Sequence, residues 1–201
     1  MKKTNFLMML AIGAIMIQCG CESKQMVKTG FLSDYSRLEP VSDEMLRYFN
    51  PNLPLSKYKS FILEPVKIYA SKAELTKSKK KELTSFMESQ IRLALGSKYP
   101  ITRSPGPGVG KIRVALTDID KSSAVMNILP ATKIAGTGLG GAAMEAELID
   151  SVTGQQIAAI MEYQKGSRLS LEGLSKYGDA KAVMKGWAQR FRKRLDEAHG
   201  Y

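Results

Sequence analysis

Two thiols, one imidazole and two pairs of closely spaced carboxylates are the groups through which this 201-residue chain could do chemistry. The thiols, Cys19 and Cys21, stand together in IQCGCES. One residue apart, they would close a strained disulfide ring, and no other cysteine and a single histidine exist to complete a metal site. Their setting fits acylation instead. Lys2 and Lys3 precede an apolar run from Phe6 to Ile17, too short to cross a ~30 Å hydrocarbon layer comfortably but of the length of a signal peptide. A lipid-transfer site needs a small residue just before the reacting thiol. Gly20 fills that position for Cys21, whereas Gln18 fills it for Cys19. Cys21 is therefore the expected lipid attachment, carrying palmitate-type acyl chains, with Cys19 as the alternative.

The other reactive groups point to no catalyst. His199 lies near the C-terminus, and with no thiol left after cleavage a nucleophile–imidazole site would need that tail to fold inward. Asp118 with Asp120, and Glu145 with Glu147, have the two-residue spacing that puts both carboxyls on one face of a strand. Such a pair could share a proton or bind a cation; as exposed strand positions they need do neither. GTGLGG, Gly136–Gly141, has dinucleotide-fingerprint spacing, but Pro130 lies upstream and a strand-like alternation downstream, so no helix N-terminus is there to hold a phosphate. SPGPGVGK, Ser104–Lys111, is one residue short of a phosphate loop, has Ile112 where Ser or Thr is needed, and runs into a strand. No catalytic residue, cofactor or metal is expected, and a hydrolase is the least favoured reading.

The elements around these groups follow from periodicity. SFILEPVKIYA reads as a strand interrupted at Pro65. Ser71 and Glu74 form a possible capping box ahead of a long amphipathic helix with Leu75, Leu83, Phe86, Met87, Ile91, Ala94 and Leu95 on one side, closed by Gly96. KIRVALTDID, Lys111–Asp120, alternates as a strand with one wet face, and AAMEAELID and QQIAAIMEYQ flank SVTG as a hairpin. Asp179 is placed to cap a last helix with Val183, Met184, Trp187, Phe191 and Leu195 as its inner stripe. Pro51 and Pro54 make the preceding stretch irregular, with a short helical turn at Asp43–Phe49. The sum is an α+β two-layer sandwich: a mostly antiparallel or mixed sheet with two long helices. Residues 121–141 are long and apolar for a connection, and are read either as a loop over the core or as a partner-binding loop.

The chain is thus divided into a signal peptide (1–20), a lipidated tether (21–30) and a single domain (31–201). Formal charge is +11, and losing Lys2 and Lys3 leaves +9. That surplus permits contact with anionic lipid or glycan through the helix faces around Lys79 and Lys185.

GFLSDYSRLEP, YKSFILEPVKIYA, MEAELIDSVTGQQIAA and YGDAKAVMKGWAQRFRKRLDE, in that order, resemble a family of short bacterial lipoproteins known as a domain of unknown function, mostly from Gram-negative bacteria. The resemblance spans nearly all of the mature chain. It implies a lipid-anchored envelope protein without established activity, cofactor or catalytic residues, and carries over Cys21 alone as a site. The order of elements is also similar to that of accessory lipoproteins of envelope machines. The expected function is that of a non-enzymatic accessory or binding module. Its membrane contact is the N-terminal lipid, its partner another envelope protein, and nucleic acid is not among its partners. Glu22, and not Asp, after Cys21 favours the outer membrane, with the domain facing the periplasm.

Overall fold

The computed structural model describes residues 28–69, 75–120, 140–166 and 177–201. Cys19, Cys21, the Ser71–Glu74 box and residues 121–139 of the long connection lie outside them. The described residues form one mixed sheet, two α-helices and one short 3-10 turn, Leu55–Lys57. The strands are β1 (Glu39–Ser42), β2 (Met45–Phe49), β3 (Ser60–Leu63), β4 (Lys67–Ile68), β5 (Val109–Asp120), β6 (Gly141–Asp150) and β7 (Gln156–Lys165). The helices are α1 (Lys77–Leu95) and α2 (Gly178–Ala198). Across the sheet the order is β1-β2-β7-β6-β5-β3, with β4 also against β5. β3 and β4 run parallel to β5 and the other pairings are antiparallel, so the α+β two-layer expectation holds.

Pro65 separates β3 from β4 because it has no N–H to give the ladder, and the neighbouring Val66 N–H turns to Glu88 Oε1 on α1 at 2.9 Å. The β6–β7 hairpin turns through Gly154 at φ +73°, with Asp150 Oδ1 accepting from the N–H groups of Val152 (3.0 Å) and Thr153 (2.8 Å). In β5 the buried set runs Ile112, Val114, Leu116 and then Ile119. The register shifts between Leu116 and Asp118, and this extra residue moves the inward positions from even to odd numbers.

α1 starts at Thr76, whose hydroxyl accepts from the Lys79 N–H, and ends at Gly96, φ +56°. Leu83, Met87, Ile91 and Leu95 recur every fourth residue and are all buried. α2 runs parallel to α1. Lys181 meets Glu82 at their N-terminal ends (2.8 Å), and Arg192 donates to the α1 carbonyls of Ala94 (2.8 Å) and Leu95 (3.1 Å) at the other. The main core lies between these helices and one sheet face, around Phe61, Leu83, Leu116, Met184 and Leu195.

Two expectations are corrected. Met45–Phe49 is a strand paired along its length with β7, not a helical turn. Its local preference yields to the pairing, because an open β7 edge would leave backbone groups without partners. Asp179 sits inside the first turn of α2, after Tyr177 in the N-cap position, and its buried carboxylate accepts from the Gly140 N–H at 2.9 Å. It ties the start of α2 to the start of β6.

Candidate functional site

Cross-strand partners share a face, so the register assigns every side chain to one of the two surfaces of the sheet. On the surface away from the helices, one row runs Leu46, Met161, Glu145, Ala115 and the next runs Tyr48, Ala159, Glu147, Arg113. The expectation of exposed carboxylates here is overturned: Glu145 is 0% and Glu147 4% exposed. Both are roofed by the segment Thr29–Leu38, whose Phe31 and Leu32 pack with Ala115, Ala159 and Met161 in a second, smaller core.

Two buried anions are tolerable because the roof brings donors to them. Glu145 accepts from the Thr29 N–H (2.8 Å), the Thr29 hydroxyl (2.9 Å) and the Tyr35 hydroxyl (2.5 Å). Glu147 accepts from the Ser33 N–H (3.0 Å), the Ser33 hydroxyl (2.7 Å) and Gln156 Nε2 (2.8 Å), and is paired with Arg113. Arg113 also reaches Glu64 at 3.3 Å and lies over the Phe31 ring, 4.8 Å from its centroid. The same Gln156 Nε2 also donates to the Asp34 carbonyl of the roof (3.1 Å). Burial, together with the bond to Glu145, raises the Tyr35 phenol above its ordinary range. The pair is therefore a clasp on the GFLSDYS segment.

The other predicted groups are dispersed. Asp120 accepts from the Tyr163 hydroxyl (3.0 Å), and Asp118 Oδ1 accepts from the Ile119 N–H (2.9 Å). His199 lies beyond the end of α2, with Nδ1 2.8 Å from the Leu195 carbonyl oxygen and its ring stacked on Tyr201. It meets neither carboxylate pair. Gly136–Leu139 lie outside the described residues, and Gly141 opens a strand rather than a helix, as does the segment after Gly108. Lys79 pairs with Glu82 and lies over the Tyr177 ring, while Lys185 is exposed. Among the described residues no cluster of His, Cys, Asp or Glu could hold a metal, and no helix is long and apolar enough to cross a membrane.

One feature had no sequence signal. On the helix side, where β2 and β7 extend past α2, a groove of about 200 Å³ opens between sheet and helices. Met45, Met87, Met144, Ile160, Trp187 and Phe191 are among its apolar lining, and Arg47, Arg190 and Arg194 approach it from β2 and α2. Arg190 pairs with Glu162 at 2.5 Å; Arg194 pairs with Glu197 at 2.9 Å; Arg47 has no carboxylate partner among the described residues and lies 5.2 Å from the centroid of Phe49. The groove faces the opposite side of the sheet from the clasp.

The family model described as "Protein of unknown function (DUF3313)" matches residues 27–191. Over 194 residues the chain is 27% identical to the uncharacterized lipoprotein YdcL of Escherichia coli (strain K12), a match covering 86% of this chain and 87% of that one. Among solved structures it is similar to the PelC dodecamer from Paraburkholderia phytofirmans, at 14% identity and TM-score 0.46 over 75% of this chain and 95% of that one. It is also similar to the hypothetical protein CT253 from Chlamydia trachomatis, at 11% identity and TM-score 0.44 over 69% and 98%.

Proposed function

The chain belongs to the DUF3313 family of proteins of unknown function, and from that premise we propose that it is a non-enzymatic binding module moored to the outer membrane by acyl chains on Cys21. Cys19 is the alternative acceptor, and the domain faces the periplasm, where it meets another envelope protein. The observation that carries this reading is the clasp. Within it Thr29 is held by two hydrogen bonds to Glu145 and follows Cys21 by eight residues. Eight residues span at most about 28 Å when fully extended. A lipid on Cys21 would hold Thr29, on the sheet face opposite the groove, within that distance of the bilayer surface.

The clasp also bears on catalysis. Among the described residues the buried, closely paired carboxylates Glu145 and Glu147 already accept from donors of the chain's own N-terminal segment, which ties them to a structural role and covers them from a substrate. The lipoprotein character of the Escherichia coli relative supports the anchor, and Glu22 supports the outer membrane.

The test is mass spectrometry of the mature N-terminus from the native host, with fractionation of single cysteine variants. Acyl mass on Cys21, release of Cys21→Ser into the soluble fraction and retention of Cys19→Ser are expected. An unmodified N-terminus, or retention of Cys21→Ser equal to wild type, overturns the reading.

A further inference from the structure

The groove beneath α2 differs from a packing defect in two ways. Its lining includes two polar side chains that are more than nine-tenths buried and incompletely satisfied: Trp187, 3% exposed, whose Nε1–H has no acceptor among the described residues, and Glu162, 5% exposed, whose Oε2 has no donor among them. Buried polar groups without partners are rare in folded proteins, and each calls for an explanation. Here one group wants an acceptor and the other a donor. The second difference is charge. Arg47, Arg190 and Arg194 stand at the groove against Glu162 and Glu197, one positive charge in excess, because the side chain of Glu147 lies on the other sheet face paired with Arg113; Arg47 has no carboxylate of its own among the described residues.

The remaining lining is aliphatic, aromatic and methionine-rich, with Met45, Met87 and Met144 from three different elements. Unbranched thioether side chains rearrange around a flexible guest more readily than branched ones. At about 200 Å³ the space is below the ~300–1,000 Å³ usual for compact ligands, which favours a guest with a narrow profile.

We propose that this groove binds a single-chain anionic phospholipid, a lysophospholipid, with its acyl chain among the apolar side chains and its head at the arginines. Each requirement of the groove matches one part of that molecule. The phosphodiester supplies acceptors for the Arg47 guanidinium and the Trp187 N–H; a free glycerol hydroxyl supplies the donor that Glu162 Oε2 lacks; the single chain fits the narrow apolar space. A fatty acid anion lacks the hydroxyl, and a diacyl lipid brings a second chain. The proposal goes beyond the binding-module reading, adding a lipid ligand in the groove to the protein partner proposed above.

The test uses full-length protein in phosphatidylcholine vesicles with lysophosphatidylglycerol carrying a diazirine near the chain terminus, followed by irradiation and peptide mapping. Label should concentrate in Met45–Phe49 and Trp187–Arg194. Ala158→Phe, which fills the groove, should reduce it about tenfold, a 1.4 kcal/mol effect. Arg47→Glu, at a partly exposed position outside the core, should reduce it several-fold even if Ala158→Phe does not fold. Diazirine palmitate and diacyl phosphatidylglycerol with the same tag should label these peptides less. Uniform label, label indifferent to Arg47→Glu, or stronger groove label from either control lipid overturns the proposal. Failure of the anchor reading would show instead as retention of Cys21→Ser in membranes, with groove labelling unchanged.

Discussion

Replacing Glu145 by alanine removes the common acceptor of the Thr29 N–H, the Thr29 hydroxyl and the Tyr35 hydroxyl while leaving Glu147 and its partners in place. A hydrogen bond to an ionised group is worth about 1.5–3 kcal/mol, but Thr29 and Tyr35 regain water once the segment lifts, so a net value near 1 kcal/mol each is appropriate. Three such bonds give about 3 kcal/mol, or on the order of a hundredfold in the local opening equilibrium of residues 29–38. Amide hydrogen exchange followed by mass spectrometry reads this directly. Protection in residues 29–38 should fall by about that factor, while Ala142–Leu148 and Trp187–Leu195 keep theirs, and trypsin should gain access to Arg37. Glu145→Gln, which keeps the volume and one acceptor oxygen, should fall between the two. If protection of residues 29–38 changes less than about threefold, or if β5–β7 and both helices lose protection equally, Glu145 is not a clasp but an ordinary part of the core.

Other perturbations test the packing and titration that surround it. A Cβ on Gly110 would stand 2.9 Å from Leu148 Cδ1 and 3.0 Å from the Phe61 ring, so Gly110→Ala overpacks the core by about 1–3 kcal/mol. A Tm lower by about 2–4 °C per kcal/mol is expected, and an unchanged Tm would count against this packing. At Gly166 the new Cβ would collide with the buried Asp179 side chain and break its bond to Gly140, so Gly166→Ala should have the lower Tm of the two; the reverse order would contradict the Asp179 tie. Burial, reinforced by Asp196, pushes the Tyr99 phenol up to about 12, and burial with Asp150 or Asp120 raises Tyr58 and Tyr163 as well. Because these folded values lie above the ordinary value near 10, the unfolded chain loses its protons first. Their contribution to stability is whole below about pH 10 and is lost as pH rises through the raised values. A phenolate absorbance titration should show Tyr99, Tyr58 and Tyr163 ionising late and together with unfolding; one step near pH 10 with native circular dichroism would refute this.

How much of this was legible in the sequence depended on the range of the signal. Leu83, Met87, Ile91 and Leu95 announce a helix within four turns, and Ile112, Val114 and Leu116 announce a strand within five residues, because each pattern is local. The SVTG hairpin and the Gly96 helix end were likewise readable. Met45–Phe49 was misread because its strand conformation is imposed by β7, whose paired residues begin at Ala158 and lie more than a hundred positions along the chain. The shift at Leu116/Asp118 has no Gly or Pro to mark it. Glu145 and Glu147 had the right spacing but the wrong environment. Alternation says that two residues share a face; it does not say that Thr29, Ser33 and Tyr35 return to cover that face. The signal that could have identified the clasp was the concentration of donors in GFLSDYS, interpretable only with a buried acid to receive them.

The groove follows from a mismatch of widths rather than from any motif. From β1 to β3 the sheet path crosses five strand spacings, about 24 Å at ~4.8 Å each. Two packed helices, each about 10 Å across, cover about 20 Å. α1 is drawn toward the β3 and β4 edge, where Val66 binds Glu88, and the parallel α2 follows it through Glu82–Lys181 and Arg192–Leu95. Among the described residues the strip left uncovered lies toward the β1 side, above β2 and β7, which is where Met45, Arg47 and Phe49 face the helices. On the opposite surface the shortfall is met differently: the N-terminal segment supplies the cover, and the two glutamates hold it there. Among the described residues, one surface of the sheet is covered over Glu145 and Glu147 by residues 29–38, while the other is open above β2 and β7, which is where the proposed lipid would enter.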